Sequence, residues 1–213
     1  MEKGNRRVLE KLYLSNEEYI IDVPMEVGNI HIANGNFFST SDLYLRGDLY
    51  VEGDVQIKNL YLSSAPHHIE IRKGSLLVLE NILPECKMGN DHSPMSICVP
   101  DGDMLVGGNL YKSSLYITCG YDIYIKGNCI LSQISHCCNF ICNGQASIAQ
   151  VYSTMDIYVE SSNLEYWYAG RDLYIETTTF SSFEEIYEKL ACVHGQLYIP
   201  KAWIDKEQVE ILL

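Results

Sequence analysis

The sequence predicts an all-β chain: a single-stranded right-handed parallel β-helix with coils of about 16–18 residues and a short α-helical C-terminal segment. Three observations predict it. The stretch "SDLYLRGDLYVEGDVQIKNLYLSS" (Ser41 to Ser64) repeats an apolar-any-apolar triplet about every six residues. Triplets centred on Leu43, Leu60, Leu76, Leu105, Ile123, Ile141, Ile157 and Leu173 recur at intervals close to 17, with one longer step. Gly-Asp or Gly-Asn pairs at Gly47-Asp48, Gly53-Asp54, Gly108-Asn109 and Gly127-Asn128 punctuate the joints.

Alternation with period two is the strand signal, because successive side chains leave opposite faces of the pleat. Six residues per unit is too short for a hairpin strand with its turn, so a β-sandwich is the weaker alternative. The pairs read as corners, with glycine supplying positive φ and Asp or Asn bonding the local backbone. Bulky residues and a drifting period speak against a left-handed coil, and the right-handed preference of parallel crossovers favours the other hand.

Residues 1–29 read as an N-terminal cap and first strands. Within them "RRVLEKLYLSNEEYI" does not separate helix from strand. Residues 30–180 form the β-helix proper, and the long step is absorbed by "PECKMGNDHSP" (84–94), an insertion rich in turn formers. Such an insertion in a regular array is a place for specific contacts. Residues 181–213 hold a helical insertion, a last strand and a C-terminal cap. Ser182 with Glu185 makes a capping box, followed by Phe183, Ile186, Tyr187 and Leu190 at helical spacing up to Gly195. Leu197-Tyr198-Ile199 is the last strand, stopped by Pro200, and "AWIDKEQVEILL" reads as a second small helix.

The chain has 213 residues, 47% of them hydrophobic, enough for a continuous core. A formal charge of -13 and a pI near 4.8 set the surface against phosphate backbones, so no nucleic-acid partner is expected. No secretory core and no apolar run of membrane length is evident, which points to a cytoplasmic protein without a membrane span. Eight cysteines are then expected as reduced thiols. Cys119 and Cys137, one coil apart, read as small core side chains.

The candidate binding surface is an outward face of tyrosines, Tyr44, Tyr61, Tyr124, Tyr158 and Tyr174, at the middle positions of their triplets. Tyrosine offers a large contact area with a polar handle, while the structural alternative is simple strand preference and stacking. Asp42, Asn59, Asp122, Asp156 and Asp172 precede triplets. They suit corners, and calcium is the competing reading. Cys86, His92, Cys98, His136 and the Cys137-Cys138 pair lack the tight spacing of a zinc site, so neither metal nor other cofactor is expected. For catalysis only Arg171-Asp172 and the group His67, His68, Glu70 and Arg72 offer local candidates. No nucleophile elbow, phosphate loop or metalloprotease motif is present.

The stretch "GDLYVEGDVQI" (Gly47 to Ile57), echoed in "GNLYKSSLYI" and "YDIYIKGNCI", resembles the repeat of bactofilins and related bacterial β-helix proteins. The resemblance covers roughly the central 130 residues. It implies a non-enzymatic, polymer-forming cytoskeletal protein. The insertion, the helical C-terminal segment and the cysteines depart from that pattern. The sequence reading is therefore a non-enzymatic β-helix scaffold or protein-recognition module, its partner a protein or a second copy. Alternatives are a bactofilin-like polymer and a carbohydrate-binding or carbohydrate-cleaving β-helix.

Overall fold

The structure is a computed structural model, and it describes residues 6–65, 67–85, 94–178, 190–192 and 194–198. All nineteen described strands pair in parallel and stack as the coils of a β-solenoid of about nine turns. The strands of the first coils are β1 (Arg7–Ser15), β2 (Tyr19–Ile21), β3 (Met25–Ala33), β4 (Phe37–Leu45), β5 (Leu49–Glu52) and β6 (Val55–Leu62). Next come β7 (His68–Arg72), β8 (Leu76–Val78), β9 (Ile82–Pro84), β10 (Met95–Val99), β11 (Met104–Val106) and β12 (Leu110–Cys119). The last are β13 (Ile123–Ile125), β14 (Cys129–Cys137), β15 (Phe140–Ser153), β16 (Ile157–Ala169), β17 (Leu173–Thr178), β18 (Leu190–Cys192) and β19 (Leu197–Tyr198).

Each coil has three sides, so the strands stack in three columns. Column 1 rises through Tyr19, Phe37, Val55, Leu76, Met104, Ile123, Phe140, Ile157, Leu173 and Leu197. Column 2 runs through Met25, Leu43, Leu60, Ile82, Leu110, Cys129 and Ala146. Column 3 runs through Leu12, Ile30, Leu49, Ile69, Ile97, Ile117, Ile134, Val151 and Trp167. Nearly all of these face inward and are buried, because a period of two sends the first and third residue of each triplet into one core. Trp167 is the largest fully buried side chain. Its ring meets Phe140 edge-on at 5.9 Å and its indole N–H donates to the Ile148 carbonyl at 3.0 Å.

Several expectations change. Stacking is present from Arg7, since β1 pairs with β3 along its length. The triplet list mixed columns. Leu60 pairs with Ile82 rather than with Leu76, and Leu105 and Ile141 point outward beside Leu77 and Tyr124. The three sides of a coil are nearly identical in sequence, so spacing alone does not say which side a triplet occupies. The extra corner residues Ser63 to His67 then shift the count. The expected helix falls mostly on residues 179–189, outside the described residues, but Leu190, assigned to its last turn, opens β18 and pairs with Trp167. The segment from Ala202 onward also lies outside them.

The corners depend on a different physical cause from the one expected. No described glycine has positive φ; Asn16, Asn34 and Lys73 do. Glycine is required instead by close approach. A Cβ on Gly102 would stand 2.1 Å from the Gly74 carbonyl oxygen, and one on Gly74 would stand 2.4 Å from that of Gly53. The Asx side chains bond across coils rather than locally. Asn36, Asp54, Ser75, Asp103, Asp122, Asn139, Asp156 and Asp172 each accept a hydrogen bond from the backbone N–H one coil on, at 2.7–3.1 Å. A second ladder, Asn59, Asn81, Asn109 and Asn128, does the same before column 2, at 2.9–3.0 Å. Corner amides have no strand partner in the ladder direction, and these side chains supply the missing acceptor.

Candidate functional site

The tyrosines expected to share one face are divided between two. Tyr44 and Tyr61 stack in column 2 with centroids 4.5 Å apart and rings 9° from parallel. Their surroundings close them off. The Arg6 guanidinium lies 3.5 Å from the centre of the Tyr44 ring, and Arg6 and Arg46 join Glu26 and Glu85 in an ion-pair cluster beside it. Burial, ahead of the neighbouring charges, pushes both phenols above their usual pKa.

Tyr124, Tyr158 and Tyr174 belong to column 1. The outward positions there read, in order, Ile20, Phe38, Gln56, Leu77 and Leu105, followed by Tyr124, Ile141, Tyr158, Tyr174 and Tyr198. Nine of these ten rungs are apolar or aromatic, and none is fully buried. Ile20, Leu105 and Tyr198 are among the well-exposed large hydrophobic residues. Reading the sequence by tyrosine alone missed Ile20, Phe38, Leu77, Leu105 and Ile141. Their signal was a triplet whose middle residue is also apolar, as in "LLV", "MLV" and "FIC".

Near its C-terminal end the stripe deepens into a recess of about 460 Å³ lined by Asn139, Ile141, Asp156, Tyr158, Arg171 and Tyr174. Ile141 is shorter than the tyrosines around it, and Arg171 closes one side by a two-pronged contact to Asp156, with Nε 2.7 Å from Oδ1. That hydrogen bond, more than any other influence, holds the Asp156 carboxyl below its usual pKa. The last two tyrosine rings are committed to one another. Tyr174 and Tyr198 lie 4.3 Å apart and 4° from parallel, and the Tyr158 hydroxyl donates to Glu176. Tyr158 is tilted 41° from Tyr174, with ring centroids 6.3 Å apart.

Column 3 carries the remaining polar groups. His31 stacks on Tyr50 with centroids 4.6 Å apart and meets Tyr13 at 6.0 Å with the rings tilted by 34°, beside a recess of about 280 Å³ that also includes Asp48 and His68. The local group proposed for catalysis is split. His67 is buried and bonded to Ser63, whereas His68 is exposed, 2.7 Å from the Ser96 hydroxyl and 3.6 Å from Glu70. Arg72 bonds Glu70 at 2.7 Å and reaches over the Tyr50 ring. Arg171 and Asp172 sit at a corner of column 1, away from that group, and Asp172 is occupied in the corner ladder through its bond to the Gln196 amide.

Asp42 contacts the Asn59 amide at 3.0 Å, and Asp122, Asp156 and Asp172 belong to the corner ladder. All five candidate corner residues thus have structural bonds to neighbouring coils. Among the described residues no three His, Cys, Asp or Glu side chains are grouped to hold a metal. Cys86 and His92 lie outside the described residues, and Cys98 is half-buried on the outside of column 3. Cys119 and Cys137 are fully buried. Desolvation pushes their thiols up to about 11 and about 12, and that of Cys142 to about 11. Among the described residues no helix is long and apolar enough to cross a membrane.

Comparison of the chain with protein-family models, with curated proteins and with solved structures returns no match.

Proposed function

We propose that this chain is a non-enzymatic solenoid scaffold that recognises a protein partner along the outward face of column 1. The observation that carries the reading is the continuity of that face. Ten rungs follow one another without a loop, because the long interruptions fall elsewhere. Pro84 ends in column 2 and Met95 resumes in column 3, and Thr178 and Leu190 bracket the second interruption between the same two columns. Contiguous exposed apolar surface on a rigid frame marks interaction sites. Carbohydrate recognition fits less well, since Tyr174 and Tyr198 cover one another's faces and four of the ten rungs are aliphatic. Catalysis fits less well too, since Asp172 is held by the Gln196 backbone amide and Glu70 is bonded by Arg72.

A photo-crosslinking residue placed at Leu77 or Leu105 in cells should give discrete protein adducts, and one at Thr118 on column 3 should give none. Equal adducts from both columns, or polysaccharide turnover lost on Asp172→Asn or His68→Ala, would overturn the reading.

A second reading, end-to-end polymerisation as the bactofilin resemblance implies, is favoured by one observation. No described strand pairs with the outer edge of β1, and the first outward residue of each side, Val8, Tyr13 and Ile20, is 70%, 62% and 58% exposed.

A further inference from the structure

We infer that the partner seated on column 1 is a basic amphipathic α-helix, lying along the solenoid axis with its apolar side on the stripe and lysines or arginines on the flank that faces the corner ladder. The inference rests on the recognition reading above and adds the chemistry of the occupant.

The first argument is spacing. The stripe is one outward side chain wide, because the strands of column 1 hold single triplets such as Leu76–Val78, Met104–Val106 and Ile123–Ile125. Successive rungs rise by about 4.8 Å, giving a line roughly 43 Å long over ten rungs. A helix presents its apolar stripe once per turn of about 5.4 Å, so it drifts only about 2.4 Å from the rungs over four turns. An extended strand presents same-face residues about every 6.6 Å and drifts about 7 Å over four. A helix keeps its side chains against successive rungs, and a strand does not.

The second argument is charge. The rim formed by the corner ladder carries Glu18, Asp54, Asp103, Asp122, Asp156 and Asp172. The opposite rim carries Asp22, Glu160 and Glu176. That opposite rim also carries Lys58, within 3.8 Å of Glu80, and Lys126, while Arg171, one residue before the ladder, is bound to Asp156. The ladder carboxylates accept backbone hydrogen bonds. An acidic rim along one side of an apolar line calls for a ligand with cations along one side of its apolar stripe. A second copy laid face to face and antiparallel would bring the acidic ladder rims together.

The test uses the full chain and two labelled synthetic helices of about six turns. Both carry leucines at alternating spacings of three and four, one flanked by lysines and the other by glutamates. Fluorescence anisotropy should show binding of the lysine helix, weakening with added salt, and none of the glutamate helix. Leu105→Lys and Ile141→Lys should each weaken it by about tenfold or more, while Tyr152→Lys on column 3 leaves it unchanged. Circular dichroism of each variant separates loss of binding from loss of fold. Equal binding of both helices, no binding of the lysine helix, or an equal effect of Tyr152→Lys would overturn the inference. If the lysine helix fails while column 1 crosslinks persist, the partner chemistry falls and the recognition reading stands; loss of both removes both.

Discussion

At the scale of single residues, the corner Asx side chains decide most. Asn81 accepts from the Asn109 backbone N–H at 2.9 Å and donates its own N–H to Asn59, so it links three coils. Asn81→Ala leaves a part-buried amide without its acceptor and should cost about 1–3 kcal/mol in urea unfolding, with little change in the spectrum of the folded state. This ladder was half legible. The sequence marked Asp42, Asn59, Asp122, Asp156 and Asp172 as corner residues, but not that they form two ladders. A bond between residues 16 to 28 positions apart leaves no local pattern to read.

At the scale of elements, β1 and the triplets carry the lesson. β1 is nine residues long and reads ambiguously as helix or strand, since Val8, Leu9, Leu12 and Tyr13 suit either period. Its pairing with β3 settles the matter through tertiary contact. Its outer edge makes the second reading testable. Sedimentation across a hundredfold range of protein concentration, in reducing buffer, should show a discrete species if column 1 is the working surface. Growth into long polymers that Val8→Lys and Tyr13→Lys abolish would establish end-to-end assembly instead. Glycine in the corners is likewise an element-scale matter. Gly53, Gly74 and Gly102 are set by how closely one coil lies on the next, which no dihedral preference in the sequence reveals.

At the scale of the whole molecule, a core shared by every coil couples titration to stability. Buried Cys119, Cys137 and Cys142 have thiol pKa values raised to about 11, about 12 and about 11, against 9.0 for the ordinary group. Cys129 is raised as well by burial, and the Tyr44 and Tyr61 phenols shift the same way. The folded state therefore holds more protons than the unfolded chain above pH 9, so stability falls as pH rises. The contribution is complete below pH 9 and is lost through pH 11 to 12. Urea midpoints measured with reductant should be flat from pH 7 to about 8.5 and decline steeply beyond it. The Cys119→Ala Cys137→Ala pair should flatten the decline. An unchanged slope in that variant would place the alkaline transition on other groups.

The sequence by itself determined that this protein is an all-β solenoid, because the period of two inside each triplet and the near-constant length of a coil are both local properties of the chain. It also determined which residues in most triplets face the core. Only the tertiary structure decided the column of each triplet, and with it the functional surface. The three sides of a coil are chemically alike, and a few extra residues at one corner move every later triplet relative to the count. Tyr44 and Tyr124 occupy the same place in the motif and different faces of the molecule, whereas Leu105 and Tyr124 occupy different places in the count and adjacent rungs of one stripe. Stacking of coils brings the latter pair together, since backbone hydrogen bonds between coils, not distance along the chain, set which outward side chains become neighbours.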